Sequence, residues 1–405
     1  MKTTLIKLIT RVVGFKAISF DGSHIFLWGV PMILLPTDTI VLLQNRLEKE
    51  FGKKEIFSVM FGLGKLQGKN GTNILLKRYN ITPTGKDLSF FLEQTGLVGM
   101  GKLEPHEKIV EEQLKEKFYR ARDLNPPEAM QYKEMFGIQK TGVDFFLNGL
   151  ITGGCEALFG GNLVGVEKEC IACGNDKCVF LMSEETRFEK DEKLKELIPT
   201  NIKEIEEIKN KSDLTNLLEP SPMQLKDTET ELSLFLKKKY KNRIFEFSNG
   251  RINMLGISGF ITPMIVIALF YYVAKKRYGK KIDDIFYETG KHHGLTYGKK
   301  IIEEVNLKQN EIAIKRILET IGFFGFGKPE IMRLDLKNRK IIFKVMENPL
   351  AKEYLKIFGR QKEGIDFLLA GFTAGLIETI IGKIDVIETK CITEASPYCI
   401  FETKT

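Results

Sequence analysis

Two stretches decide the reading: EKECIACGNDKC at residues 167–178 and ETKCITEASPYC at residues 388–399. Each has the form Glu-x-x-Cys-x7-Cys, carried by Glu167, Cys170 and Cys178 in one and by Glu388, Cys391 and Cys399 in the other. Working outward, Phe136-Gly137, Gln139-Lys140, Gly142, Asp144 and Gly149 return as Phe358-Gly359, Gln361-Lys362, Gly364, Asp366 and Gly371. The offset is 222 throughout (136 to 358), and 221 for the cysteine pattern (170 to 391). Chance does not keep such register, so the chain is a tandem duplication. We expect a first domain over residues 1–182, a charged linker with a lead-in helix over 183–240, and a second domain over 241–405.

A chain of 405 residues accommodates two domains, and 43% hydrophobic with 28% charged residues is ordinary for a soluble globular protein. The formal charge of +8 comes from Lys interleaved with Glu, which reads as a solvated surface; a nucleic-acid partner would call for a concentrated basic patch. Six Cys are too sparse for a secreted disulfide scaffold, and four of them sit in the repeated pattern. A reducing, cytoplasmic setting follows as an expectation. Lys7 and Arg11 interrupt the apolar run Leu5 to Phe15, so no signal peptide is expected there. Leu5, Leu8, Val12 and Phe15 instead fit an amphipathic helix packed on its own domain. Ile252 to Val273 is long and apolar enough to span a membrane. Its counterpart, Ile25 to Gln44, contains Trp28, Asp38, Thr39 and Gln44, so both are read as buried strand-turn-helix segments.

Each copy opens with a turn (Asp21-Gly22, Asn249-Gly250) and a β-rich run broken by Gly29 and Pro31 or by Gly256 and Gly259. A helix follows Pro36 or Pro263, with Thr37 or Asp38 as a candidate cap and Leu43, Leu47 and Phe51 as its apolar stripe. Gly52 and Gly279 close these helices. The next helix holds Gly64-Lys65-x-x-Gly68 or Gly290-Lys291-x-x-Gly294. The glycine spacing fits no dinucleotide fingerprint, and Glu288 stands where the first glycine of copy one, Gly62, would recur, so close helix packing is the reading. Gly99-Met100-Gly101-Lys102 and Gly325-Phe326-Gly327-Lys328 lack Walker spacing and introduce strands. Ile331 to Met346 reads as a hairpin around Asn338, whereas Glu107 to Arg122 reads as helical. A helix from Thr141 to Phe159, or Glu363 to Ile381, then leads into a strand and the cysteine pattern. Ser183 to Lys241, with Pro220-Ser221-Pro222 and a helical pattern from Ile202 to Lys211, is the linker.

Two thiolates and a carboxylate converging from a loop between strands make an acceptable tetrahedral zinc site with one further ligand. Buried cysteines acting as small apolar residues are the alternative. Retention of all three residue types in both copies favours the metal. Asp144 and Asp366, one helix upstream, are candidate fourth ligands; each also suits a helix cap. Cys155 and Cys173, present in copy one alone, are further candidates. None of His24, His106, His292 and His293 has a duplicated partner or a triad arrangement, so no catalytic residue is assigned.

These motifs, over about residues 15–182 and 240–402, resemble two tandem 4-vinyl reductase domains. The family includes archaeal predicted hydrocarbon-binding proteins and the sensory domains of aromatic-responsive activators. The resemblance implies an α+β fold, an antiparallel sheet covered by helices in each copy, similar to trafficking-complex (TRAPP-like) subunits that dimerise through helices. It implies structural zinc, about one per domain, on Glu167, Cys170, Cys178, Glu388, Cys391 and Cys399. The family's remaining ligand is an upstream Cys; near that place this chain has Asp144 and Asp366. The name implies reductase chemistry, but nothing in the sequence supports a hydride-donor site. Phe401 lies four residues from the end, so no effector domain is expected after it. The expectation is a non-enzymatic, sensor-like protein binding a small hydrophobic or aromatic ligand, with a protein partner or homodimer possible and no transmembrane segment. The alternative is an interaction scaffold whose two domains form an internal pseudo-dimer.

Overall fold

The computed structural model describes residues 18–21, 23–27, 29–83, 87–106, 116–211, 232, 245–248, 250–254, 256–306 and 311–404. The expected N-terminal amphipathic helix, residues 212–231 and 233–240 of the linker, residues 107–115 of the expected Glu107–Arg122 helix, Gly22 and Asn249 lie outside the described residues. The fold is α+β, with antiparallel sheets and helices packed on them.

Copy one begins with the antiparallel strands β1 (Ile18–Phe20), β2 (Ile25–Leu27) and β3 (Val30–Pro36). Asp21 accepts the Ser23 and His24 amides at the first turn, and Gly29 takes a positive φ of 82° at the second. Helices Thr37–Phe51, Lys53–Tyr79 and Asp87–Leu97 follow. A sheet of order β4-β5-β7-β6 completes the copy, made of β4 (Leu103–Pro105), β5 (Tyr119–Asp123), β6 (Val164–Glu169) and β7 (Cys178–Ser183). Helices Pro127–Phe136 and Phe145–Phe159 lie between β5 and β6.

Copy two repeats this plan. Strands β8 (Phe245–Ser248), β9 (Arg251–Met254) and β10 (Ile257–Pro263) precede helices Met264–Tyr278, Lys281–Val305 and Glu311–Phe323. Strands β11 (Lys328–Asp335), β12 (Lys340–Met346), β13 (Asp385–Lys390) and β14 (Cys399–Lys404) form a sheet of order β11-β12-β14-β13, with helices Pro349–Phe358 and Phe367–Ile381 between β12 and β13. Among the described residues, no helix is long and apolar enough to cross a membrane; Ile252 to Val273 is divided among β9, β10 and a helix.

Three local expectations change. The end of the expected Glu107–Arg122 helix is β5, whose Tyr119, Ala121 and Asp123 alternate inward. Neither Thr37 nor Asp38 caps the first helix, because it starts at Thr37 behind Pro36. The Thr37 hydroxyl donates to the Ser258 carbonyl instead. The long last helices begin at Phe145 and Phe367 rather than at Thr141 and Glu363, leaving Gly142 and Gly364 outside the helix beside the site glutamates.

Glycines set the spacing of the central helices. A Cβ on Gly64 or Gly68 would lie 2.2 or 2.0 Å from the Phe146 or Leu150 carbonyl oxygen. From the opposite helix, one on Gly149 or Gly153 would lie 2.0 or 1.9 Å from the Phe61 or Lys65 oxygen. In copy two, Gly290, Gly294, Gly371 and Gly375 make the same backbone-to-backbone contacts. Lys65, of the Gly64-Lys65-x-x-Gly68 motif, donates to the Leu163 carbonyl at 2.6 Å and pairs with Glu156 at 2.8 Å. Lys291 likewise donates to the Ile384 carbonyl and pairs with Glu378.

Within the described residues the chain forms two compact units, one from residues 36–211 with 245–261 and the other from residues 18–35 with 262–404. Each copy's opening strands therefore belong with the helices and C-terminal sheet of the other copy. The Gly-x-Gly islands seat them. In one unit the Ile261 amide donates to Val98 and the Gly101 amide to the Gly250 carbonyl. In the other, the Leu34 amide donates to Phe324 and the Gly327 amide to Ser23. Gly99 and Gly325 sit at φ of 88° and 90°, and a Cβ there would strike the Gly259 or Met32 carbonyl.

Candidate metal centre

The cysteine loop is a tight backbone construction. Cys170 follows β6 directly and precedes a 3-10 turn at Ile171–Cys173; Cys178 opens β7. The Cys170 carbonyl accepts the Cys173 and Asn175 amides, and the Asn175 side chain accepts the Cys170 amide at 3.1 Å. In copy two the Cys391 carbonyl accepts the Glu394 and Ser396 amides. The repeated Phe-Gly-x-Gln motif braces this loop from outside. The Gln139 amide donates to Ala172 and the Gln361 amide to Thr393.

Glu167, Cys170, Cys178 and Asp144 bring one ligand atom each to within 4.8 Å of one another, all four residues being buried. In copy two Glu388, Cys391 and Cys399 do the same, and Asp366 does not join them. All of these cysteines are free thiols, with Cys391 and Cys399 sulfurs 3.7 Å apart. The duplicated glycines make room for the glutamates: a Cβ on Gly142 or Gly364 would lie 2.2 or 2.3 Å from Oε2 of Glu167 or Glu388. That same oxygen accepts the backbone amide of Asp144 at 3.0 Å or Asp366 at 3.1 Å. Each glutamate's other oxygen, Oε1, is buried without a hydrogen-bond partner.

The two aspartates differ. Both carboxylate oxygens of Asp144 are buried and receive no amide or hydroxyl donor; their polar neighbours are the Cys178 thiol and the Glu167 carboxyl. Asp366 is satisfied, with Oδ2 accepting the Asn348 side-chain amide at 2.6 Å and Oδ1 accepting the Leu369 amide at 3.3 Å as a helix cap. The residue matching Asn348 is Pro126, which has no such donor. Of the other cysteines, neither Cys155 nor Cys173 joins the group. Burial pushes both thiols up, Cys173 to about 12.

Burial and mutual repulsion dominate the electrostatics. Burial, then the Glu167 charge, holds Asp144 well above the usual carboxylate range; burial, then Cys170, does the same to Glu167. Glu388 is raised by burial and by the charges of Cys391 and Asp366. Within each cysteine pair one thiol donates to the other. Cys170 is lowered by Cys178, and Cys391 falls to about 6 because Cys399 donates to it. A buried group of carboxylates and an incipient thiolate, with orphaned oxygens, is a donor set that a divalent cation satisfies. Two sulfurs with carboxylate oxygen suit zinc among the common ions. The residues present therefore fit the metal that the family resemblance implies.

Two acids near the first centre were not singled out in the sequence. Burial raises Asp123 to about 7, and burial with the Asp144 charge raises Glu128 well above its ordinary value. Each keeps one oxygen unpartnered. Asp123 pairs with Cys178 across β5 and β7, whereas Val345 pairs with Cys399 across β12 and β14. Leu350 matches Glu128. These acids belong to one copy only, so the duplication could not reveal them.

Beside Glu167 lies a cavity of about 370 Å³, lined by Phe57, Phe145, Leu197, Lys53 and Lys140 among others. Lys53 donates to the Thr141 carbonyl and its ammonium sits 5.7 Å from the centre of the Phe145 ring. In the other unit Asp283 takes the position of Phe57, where it accepts the Tyr271 hydroxyl and pairs with Lys275 beside Phe367. His293 lies elsewhere in that unit, buried among Tyr297, Phe324 and Phe372, while His292 is exposed.

Comparison with protein-family models and with curated proteins returns no match. Solved structures similar to this chain include the phenol-responsive sensory domain of the transcription activator PoxR with phenol. It shares 21% identity over 45% of this chain and 92% of that one, with a TM-score of 0.37. Another is a trafficking protein particle complex subunit 3 from Naegleria fowleri covalently bound to palmitic acid. There the identity is 14% over 35% of this chain and 93% of that one, with a TM-score of 0.27. Likenesses this distant do not bear on function.

Proposed function

We propose that this chain is a tandem 4-vinyl reductase-like protein that binds a small hydrophobic or aromatic ligand without turning it over, with structural zinc in each copy. The observation that carries this reading is the cavity beside Glu167. Its volume of about 370 Å³ suits one small ring or a short alkyl chain; Phe57, Phe145 and Leu197 supply apolar contact, and Lys53, Lys54, Lys140 and Glu196 line the rest of a cleft partly open to solvent. Glu167 belongs both to this wall and to the Cys170–Cys178 group. When bound, zinc supplies a fixed positive charge that holds the carboxylate and the two cysteines in one arrangement. Glu167 is thereby prevented from swinging into the cavity, and a ligand pressing on that wall is coupled to the cysteine loop.

Isothermal titration of the full chain with phenol and 4-alkylphenols tests this reading. Binding is expected, and Leu197→Trp, which fills the space, is expected to weaken it at least about tenfold with little change in Tm. Heat-silent mixing over the whole series, or affinity unchanged in a folded Leu197→Trp protein, would count against the cavity.

A further inference from the structure

We infer that the two metal centres are inequivalent by construction. The first is closed by four side chains, Asp144, Glu167, Cys170 and Cys178; the second binds its ion through Glu388, Cys391 and Cys399 and keeps a fourth position for water or a small anion. The inference rests on the metal half of the reading above and is independent of the cavity.

Asn348 is the residue that separates them. Its side-chain amide holds Asp366 Oδ2 at 2.6 Å while its carbonyl oxygen accepts the Ala351 amide at 3.2 Å. Asp366 Oδ1 is meanwhile turned to the Leu369 amide, so both oxygens are engaged away from the thiols. In copy one Pro126 offers no donor, and the buried Asp144 oxygens receive no amide or hydroxyl from outside the group of four. Three further exchanges act in the same direction. Val345 and Leu350 replace Asp123 and Glu128, so the second centre has fewer carboxylates around it. Thr393 replaces Ala172, and its hydroxyl donates to the Cys391 sulfur at 3.1 Å, drawing electron density from a ligand atom.

Zinc held by four side chains is a closed site, whereas zinc held by three keeps one position for water or another outside donor. The first ion therefore locks the loop, and the second is the one that exchanges and admits an outside donor.

The test uses the full chain loaded with two equivalents of Zn²⁺ and mixed with excess chromophoric chelator. Release is expected in two phases of one equivalent each, the faster by at least about tenfold. Cys399→Ser should abolish the fast phase and Cys178→Ser the slow one. Asn348→Ser keeps an acceptor for the Ala351 amide but is too short to reach Asp366, so it should slow the fast phase toward the other. Independently of any variant, in the Co²⁺-loaded protein the visible bands of one equivalent should shift with thiocyanate while those of the other stay fixed. Release of two equivalents in one phase, thiocyanate response from both ions or neither, or a fast phase lost in Cys178→Ser would overturn the inequivalence and leave the metal reading standing. A chain that takes up no Zn²⁺ would overturn both.

Discussion

Gly142 and Gly364 show how a residue that binds nothing can position one that does. Each lacks the side chain that would push Oε2 of Glu167 or Glu388 out of its group. Their recurrence at matched positions was visible in the sequence, as was that of the glutamates and cysteines, because duplication tests which residues a site retains. Asn348, Asp123 and Glu128 escaped that test, since each has a chemically unlike counterpart in the other copy. His293 gives a prediction at this scale. Burial, with some repulsion from His292, holds its pKa well below 6.5, and its Nε2 has no hydrogen-bond partner. A histidine with a depressed folded pKa contributes stability above the unfolded value and loses it as pH falls through the folded one. Thermal melts of the wild type should therefore drop progressively below about pH 6.5. His293→Leu, close in volume and unable to charge, should flatten that part of the profile. Parallel profiles for the two proteins would show that the imidazole is not the source.

The helix pair Lys53–Tyr79 and Phe145–Phe159 is held by backbone contact, and its glycines are separable by environment. Gly68→Ala places a Cβ 2.0 Å from the Leu150 carbonyl, so the helices must part. Overpacking of about 1–3 kcal/mol should outweigh a propensity gain of at most about 1 kcal/mol. Gly71→Ala, one turn away on the same helix, meets nothing within 4 Å and should stabilise by the propensity term alone. Urea denaturation of the two variants measures both signs, and equal shifts would remove the packing argument. The Gly-x-x-Gly helix was legible because its spacing allowed one sensible use. Strand β5 was not, since its five residues, YRARD, follow a run rich in helix formers. Its inward alternation decides the matter only when β4 and β7 are there to pair with it.

At the scale of the whole molecule, duplication was plain in the sequence, but the assignment of opening strands to units was not. The β1–β3 and β8–β10 segments offer similar edges, so composition gives no reason to prefer one pairing to the other. The exchange predicts that a fragment of residues 1–220, lacking 245–261, is left without the partner of Val98 and Gly101. It should associate with itself or melt well below the full chain, as sedimentation and calorimetry would show. A monomeric fragment as stable as the full chain would contradict the exchange. Underneath all of this lies the claim that each copy gathers a carboxylate and two thiols around an ion. Elemental analysis of the purified full chain tests it most directly. About two zinc ions per chain are expected, with about one in Cys391→Ser and a lower Tm after chelation. Metal-free protein whose Tm does not move with chelator would contradict the account.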